Sequence, residues 1–201
     1  MNEFDRWEGQ FASPDYVFGT EPNQFLLRCQ ALLPKSGKAL SIADGEGRNG
    51  VWLALQGLDV LSIDFSPSAQ AKAKQLAAAR GVALQCALVD LASFDWPHQS
   101  FDVVADIFTQ FTPPQQRAAK WAGVRRALKP GGIIIMQGYS VKQIEYGTGG
   151  PRDPAQLYTR AMVEAAFADW HDVHIIEEDV MMQEGTAHSG MSAVIGLTAR
   201  N

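Results

Sequence analysis

The sequence holds only two cysteines in 201 residues, Cys29 and Cys86. A pair so sparse is no disulfide framework, and both are expected as reduced core residues. Basic charge is not in excess: 17 Lys and Arg stand against 22 Asp and Glu, a formal net charge of −5. That balance argues against a nucleic-acid partner, because phosphate binding needs a basic face. No apolar run is long enough to span a membrane. The first residues, MNEFDRWEGQF, are acidic and aromatic. They lack the basic-then-apolar order of a signal peptide, so a cytoplasmic protein without a membrane partner is expected. Metal-ligand patterns are missing too. His171 and His174 have a suggestive spacing, but no cysteine or third ligand joins them. No metal is expected.

What is present is an ordinary globular composition, 46% apolar, on a length that suits one domain. Residues 1–20 read as irregular, with Trp7, Phe11, Tyr16 and Phe18 set among Gly, Ser, Pro and Asp. A helix follows, with Phe25, Leu26, Cys29, Leu32 and Leu33 on one face and Pro34 and Gly37 at its end. Then strands alternate with helices. Strands are expected at Lys38–Ala43, Leu58–Asp64, Val82–Val89, Phe101–Phe108 and Ile133–Gly138. Helices are expected over Gly47–Gln56, from Ser66-Pro67 to Arg80, and from Thr112-Pro113-Pro114 to Leu128, where Lys129-Pro130-Gly131-Gly132 breaks the last. Such alternation predicts a parallel sheet with helices on both faces. Residues 139–153 read as a Gly-rich loop and Pro154–Ala168 as a helix. Val173–Met181 and Met191–Ala199 read as strands joined too closely for a parallel crossover, hence as an antiparallel hairpin.

The stretch Ser41-Ile-Ala-Asp-Gly-Glu-Gly-Arg-Asn-Gly50 follows the first strand and contains Gly45-x-Gly47-x-x-Gly50. Taken literally, that is a dinucleotide fingerprint, and a nicotinamide-dependent oxidoreductase is one reading. Gly45 and Gly47 permit a tight turn and close approach of a ligand to the backbone. The helix that Gly47 opens favours an anionic group, a pyrophosphate or a methionine carboxylate alike. Gly50 falls inside the helix and reads as a packing contact. Asp64 ends the second strand, where a carboxylate accepts from both hydroxyls of a ribose. Asp90 ends the third, within reach of an adenine amino group. Two acids at consecutive strand ends beside a Gly loop form a converging polar set.

These features, together with LKPGG before the fifth strand and the closing hairpin, resemble class I S-adenosylmethionine-dependent methyltransferases. Trp7, the set Tyr16-x-x-Gly19-x-x-Pro22-Asn23, and the run GRNGVWLALQG are similar to the small bacterial type related to the tellurite-resistance and thiopurine enzymes. The resemblance implies a three-layer Rossmann-like α/β fold with a mostly parallel seven-stranded sheet. It implies one domain over 1–201, with an N-terminal lid and helix at 1–35 and a cofactor-binding core at 36–201. The cofactor would be S-adenosylmethionine, leaving as S-adenosylhomocysteine. Position by position, it implies cofactor contacts from Tyr16, Asp44, Gly45, Glu46, Gly47, Asn49, Asp64, Phe65, Ser66, Asp90, Leu91 and Ile107. The acceptor implied is a small molecule of the thiol or chalcogen class, expected against Trp7, Phe18, Gln110, Tyr139, Tyr146 and His188. His188 is the one candidate for a catalytic base. The chain departs from the family in having Ser41 where an acid is usual and Ala43 where glycine is usual, with the acid at Asp44 instead. That departure suggests a further alternative, a non-catalytic S-adenosylmethionine-binding regulatory protein.

Overall fold

The computed structural model describes residues 2–111 and 113–201. Seven strands form one sheet: β1 (Lys38–Ile42), β2 (Asp59–Asp64), β3 (Gln85–Leu88), β4 (Phe101–Ile107), β5 (Leu128–Tyr139), β6 (His171–Glu184) and β7 (His188–Arg200). Their order is β3-β2-β1-β4-β5-β7-β6. β1 to β5 run parallel, and β7 is antiparallel to both β5 and β6. This is the expected Rossmann-like methyltransferase fold. The order reverses between β1 and β4, which opens a crevice at their carboxyl ends.

Successive residues of a strand point to opposite faces, so a strand buried on both sides is apolar throughout. Val103 and Val104 show it. They are neighbours in β4, yet Val103 packs with Phe25, Leu53 and Ile135, and Val104 with Trp121, Phe167 and Leu197. The helices thus form two outer layers: α1 (Glu3–Phe11), α2 (Gln24–Arg28), α3 (Arg48–Leu55), α4 (Pro67–Ala79), α5 (Pro114–Ala127), α6 (Gln143–Tyr146) and α7 (Arg160–Ala166). Ser66 caps α4, accepting from the Ala69 N–H at 3.0 Å, with Pro67 in the first turn. Thr112, expected to cap α5, lies outside the described residues.

Four sequence expectations change. Residues 1–20 are not all irregular: Glu3–Phe11 is a helix, capped by Asn2 accepting from the Asp5 N–H at 2.7 Å. Phe4, Trp7 and Phe11 carry its helical period, which the Gly, Ser and Pro residues around it obscured. The segment 154–168 is one 3₁₀ turn (Pro154–Gln156) and then α7, because buried Leu157 and Tyr158 run extended between them and Tyr158 donates to the Tyr139 carbonyl. Lys129–Gly132 does not separate helix from strand. β5 already begins at Leu128, and the Gly131 N–H is satisfied by the Asn201 carbonyl. Last, the hairpin is longer than its apolar core, with Glu184 paired to His188 across a three-residue tip. His188 is therefore a buried strand residue, not a loop residue.

Candidate donor and acceptor site

The loop from β1 to α3 turns sharply, with positive φ at Ala43, Gly45 and Gly47. A β-carbon on Gly47 would lie 2.5 Å from that of Ala73, so glycine here lets α4 pack against the loop. Asp44 resolves the displaced acid. Its carboxylate turns back under the strand ends and accepts from Ser41 Oγ at 2.7 Å, Ser62 Oγ at 2.8 Å and the Gly50 N–H at 3.2 Å. The acid absent from position 41 is thus returned to it through space. Gly50 is the seat of that carboxylate: a β-carbon there would stand 2.4 Å from Asp44 Oδ2. Burial pushes the Asp44 carboxyl up to about 6, against the pull of its three donors.

At the end of β2, Asp64 accepts from the Gly45 N–H at 2.8 Å and the Ser66 N–H at 2.9 Å, one on each oxygen. Each oxygen keeps a lone pair for a ribose hydroxyl. Burial raises its pKa, opposed by those backbone donors. Asp90 is exposed after β3, with one oxygen taken by the Ala92 N–H at 2.9 Å.

A second polar network lies behind the loop. Glu184, at the end of β6, accepts from Arg48 Nη2 at 2.7 Å, Asn23 Nδ2 at 3.1 Å and the Gln24 N–H at 2.9 Å. Asn23 also donates to Gln137 at 2.7 Å, and its N–H donates to Asn49 at 3.0 Å. Burial alone would raise the Glu184 carboxyl. His188, Arg48 and Gln24 outweigh it and hold the group at about 2. His188 is shifted the other way, chiefly by burial, and stays neutral near pH 7.

Three adjoining cavities run along the crevice. One, of about 440 Å³, lies between Phe4, Phe65, Leu88, Leu91 and Asp90. The central one, only about 80 Å³, is walled by Ala43, Asp44, Gly45, Arg48, Asn49, Asp64 and Ile107, with Trp7 and Phe11 of α1 over it. The third, about 410 Å³, is lined by Trp7, Phe18, Phe108, Phe111, Tyr139 and His188, with Arg6 and Arg152 among its outer residues. Asp64 and Phe65 border the first two; Trp7, Phe18, Phe108 and His188 border the last two. A space of 80 Å³ is far below the few hundred that hold a small ligand, so α1 has to lift to admit a nucleoside. Glu8 ties α1 down by accepting from the hydroxyls of Ser66 and Ser68 at the start of α4.

Several expected contacts fall elsewhere. Tyr16 packs against Val51, Leu76 and Ala77 and donates to the Lys72 carbonyl at 3.0 Å, outside all three cavities. Glu46 is consumed by the Val17 N–H at 2.8 Å and by Lys72 Nζ at 2.8 Å, fixing the segment beneath α1. Gly47 and Ser66 shape the walls without lining them. Gln110 lines the third cavity, but its amide clasps the backbone of Tyr139 from both sides. Tyr146 turns away and donates to Asp179 at 3.0 Å. Conversely, Arg48, Phe108 and Phe111 line the crevice and were not anticipated. Arg48 sat in the quoted GRN run, and its buried Nη1 has no hydrogen-bond partner. A buried guanidinium nitrogen left unpaired at a cavity wall fits a bound carboxylate. Among the described residues no group of three or more His, Cys, Asp and Glu is placed to hold a metal.

Comparison with known proteins agrees with this fold. Residues 39–132 match a family described as a methyltransferase domain. No curated protein matches the sequence. Among solved structures, one described for the conversion of a disulfide bond into a thioacetal group during echinomycin biosynthesis aligns with a TM-score of 0.79 at 18% identity. It covers 100% of this chain and 92% of its own. The N-methyltransferase NodS from Bradyrhizobium japonicum WM9, in complex with S-adenosyl-L-homocysteine, aligns at 0.74 and 16% identity, covering 100% and 99%. TehB from Haemophilus influenzae aligns at 0.69 and 14% identity, covering 98% of this chain and 66% of its own. The match over residues 39–132 to a methyltransferase domain, on a chain with the fold of the S-adenosylmethionine-dependent methyltransferases, supports an enzyme with S-adenosylmethionine as its methyl donor.

Proposed function

We propose that the protein transfers the methyl group to a small, largely apolar acceptor that presents a thiol or another chalcogen atom, in the cytoplasm. The carrying observation is the division of the crevice. Polar groups suited to the donor end where an aromatic chamber begins, and one set of side chains walls both. Asp64 would take the ribose hydroxyls, Arg48 Nη1 the methionine carboxylate, and the slot of Leu88, Leu91, Phe65 and Asp90 the adenine. Aromatic rings suit a polarizable sulfur or selenium atom. The sulfur chemistry described for one structural relative supports the same class. The net charge of −5 supports a small molecule over a nucleic acid.

Bound S-adenosylmethionine supplies a methyl group already activated by sulfonium charge. The chain therefore has to align the acceptor and exclude water. Trp7, Phe11 and Phe18 do the excluding. Glu46, by fixing the Val17 and Phe18 backbone, keeps the floor of that roof in place.

Calorimetric titration tests the donor half. S-adenosylhomocysteine should bind, and Asp64→Ala should weaken it about 100-fold or more, the worth of two charge-assisted hydrogen bonds. Unchanged affinity in that variant, or binding of NADH but not S-adenosylhomocysteine, overturns the assignment. An acceptor panel of thiols, selenite, tellurite, thiopurines, phenols and amines tests the rest. Turnover confined to phenols or amines removes the chalcogen assignment.

A further inference from the structure

His188 stands in the wall shared by the central and acceptor cavities, its ring 4.5 Å from those of Phe18 and Phe108 and 5.6 Å from Tyr139. Its Nδ1 is buried with no hydrogen-bond partner. The nearest acid, Glu184 Oε2, is 3.9 Å away: too far for a hydrogen bond, close enough for an ion pair once the ring is charged. The Tyr139 hydroxyl on the same chamber is likewise buried and unpaired. Burial and Glu184 push that phenol well up, so it stays protonated and only donates or accepts a hydrogen bond. Arg48 is a fixed cation behind the ring, and Arg6 and Arg152 belong to the outer cavity lining. Of these groups His188 alone is free to take up a proton at neutral pH.

We infer that His188, backed by the Glu184 carboxylate, accepts the proton of an acceptor that binds as a neutral X–H group. This rests on the donor and acceptor assignment above. In the step, a lone pair of X forms the bond to the methyl carbon. The carbon–sulfur bond of the donor breaks, with its electron pair returning to sulfur. The X–H proton passes to the imidazole. One positive charge disappears from the sulfonium as one appears on the ring, where Glu184 meets it. The net charge of the closed site is unchanged, so no new charge has to be desolvated. An acceptor already anionic in solution would gain nothing from this residue.

The test compares phenylmethanethiol, protonated at pH 7, with 4-nitrobenzenethiol, already ionised there. His188→Gln should lower kcat for the first about 10²–10⁴-fold, the usual worth of a general base. It should change kcat for the second only a few-fold. Its rate with phenylmethanethiol should climb with pH as free thiolate forms, while the acidic limb of the wild-type profile, set by the imidazole, is lost. Imidazole should restore activity to His188→Ala, and that rescue keeps the test valid if the glutamine variant fails to fold. Equal losses with both thiols, or no rescue, overturn the inference. A wild-type protein that binds S-adenosylhomocysteine yet methylates only the ionised thiol overturns it as well. Failure of the wild type to bind S-adenosylhomocysteine at all instead overturns the donor assignment beneath it.

Discussion

The two halves of the crevice are built on opposite plans. On the donor side the Asp44 carboxylate is held by two hydroxyls and a backbone N–H, and each oxygen of Asp64 is oriented by one backbone N–H. The acceptor side is a chamber of rings in which His188 Nδ1 and the Tyr139 hydroxyl have no partner. Arg48 belongs to both descriptions, with one guanidinium nitrogen held by Glu184 and the other unpaired. Satisfied polar groups rigidify a site in advance of its ligand, whereas unsatisfied ones mark where the ligand completes it. The difference teaches that the carboxylates of the donor side are set in place beneath an α1 that lifts, whereas the acceptor side is finished by what binds there.

The largest expected break in that comparison is Arg48→Met. It leaves the Glu184 charge buried beside Asn23 and should cost about 3–5 kcal/mol of unfolding free energy. Tyr139→Phe removes a hydroxyl that has no bond to lose. It should leave stability unchanged or raise it by up to about 1 kcal/mol. Urea denaturation of the two variants side by side measures the contrast. Comparable losses from both would mean that the two sides are equally preformed.

A smaller effect separates the acids by pH. In the fold Asp44 titrates at about 6, above its ordinary 3.8, so the native state holds an extra proton between those values. Its contribution to stability therefore grows as pH falls from about 6 to 4, the reverse of a paired surface carboxylate. Glu184 sits at about 2, below its ordinary 4.5. Its contribution is present above that ordinary value and is lost as pH falls toward 2. Urea midpoints of the wild type and Asp44→Asn at pH 4.5 and 7 isolate the first window: the wild type should gain on its variant at the lower pH.

This asymmetry also decided what the sequence disclosed. The donor half is local. The loop 43–50, Asp64 and Asp90 each sit at the end of one strand, where spacing alone announces them. The mostly parallel sheet and the closing hairpin were equally legible, because apolar runs and crossover lengths admit few topologies. The acceptor half is assembled from α1, residues 108–111, Tyr139 and the hairpin tip, segments that become neighbours only after folding. Trp7, Phe18 and Tyr139 showed as aromatics. Nothing in the order of residues told Tyr146, bonded to Asp179, from Tyr139, which lines the chamber. Arg48 was hidden by its own motif: a basic residue at a helix start says nothing about Glu184, 136 positions away. Asp44 appeared misplaced because distance along the chain was read as distance in space.

A crystal structure with S-adenosylhomocysteine tests the central claim most directly, that one wall of Trp7, Phe18, Phe108 and His188 separates donor from acceptor. It should show the ribose on Asp64, the carboxylate on Arg48 Nη1, α1 closed over the nucleoside, and the sulfur facing that wall. A ligand whose sulfur points away from His188, or whose carboxylate lies among the rings of the acceptor chamber, would contradict it.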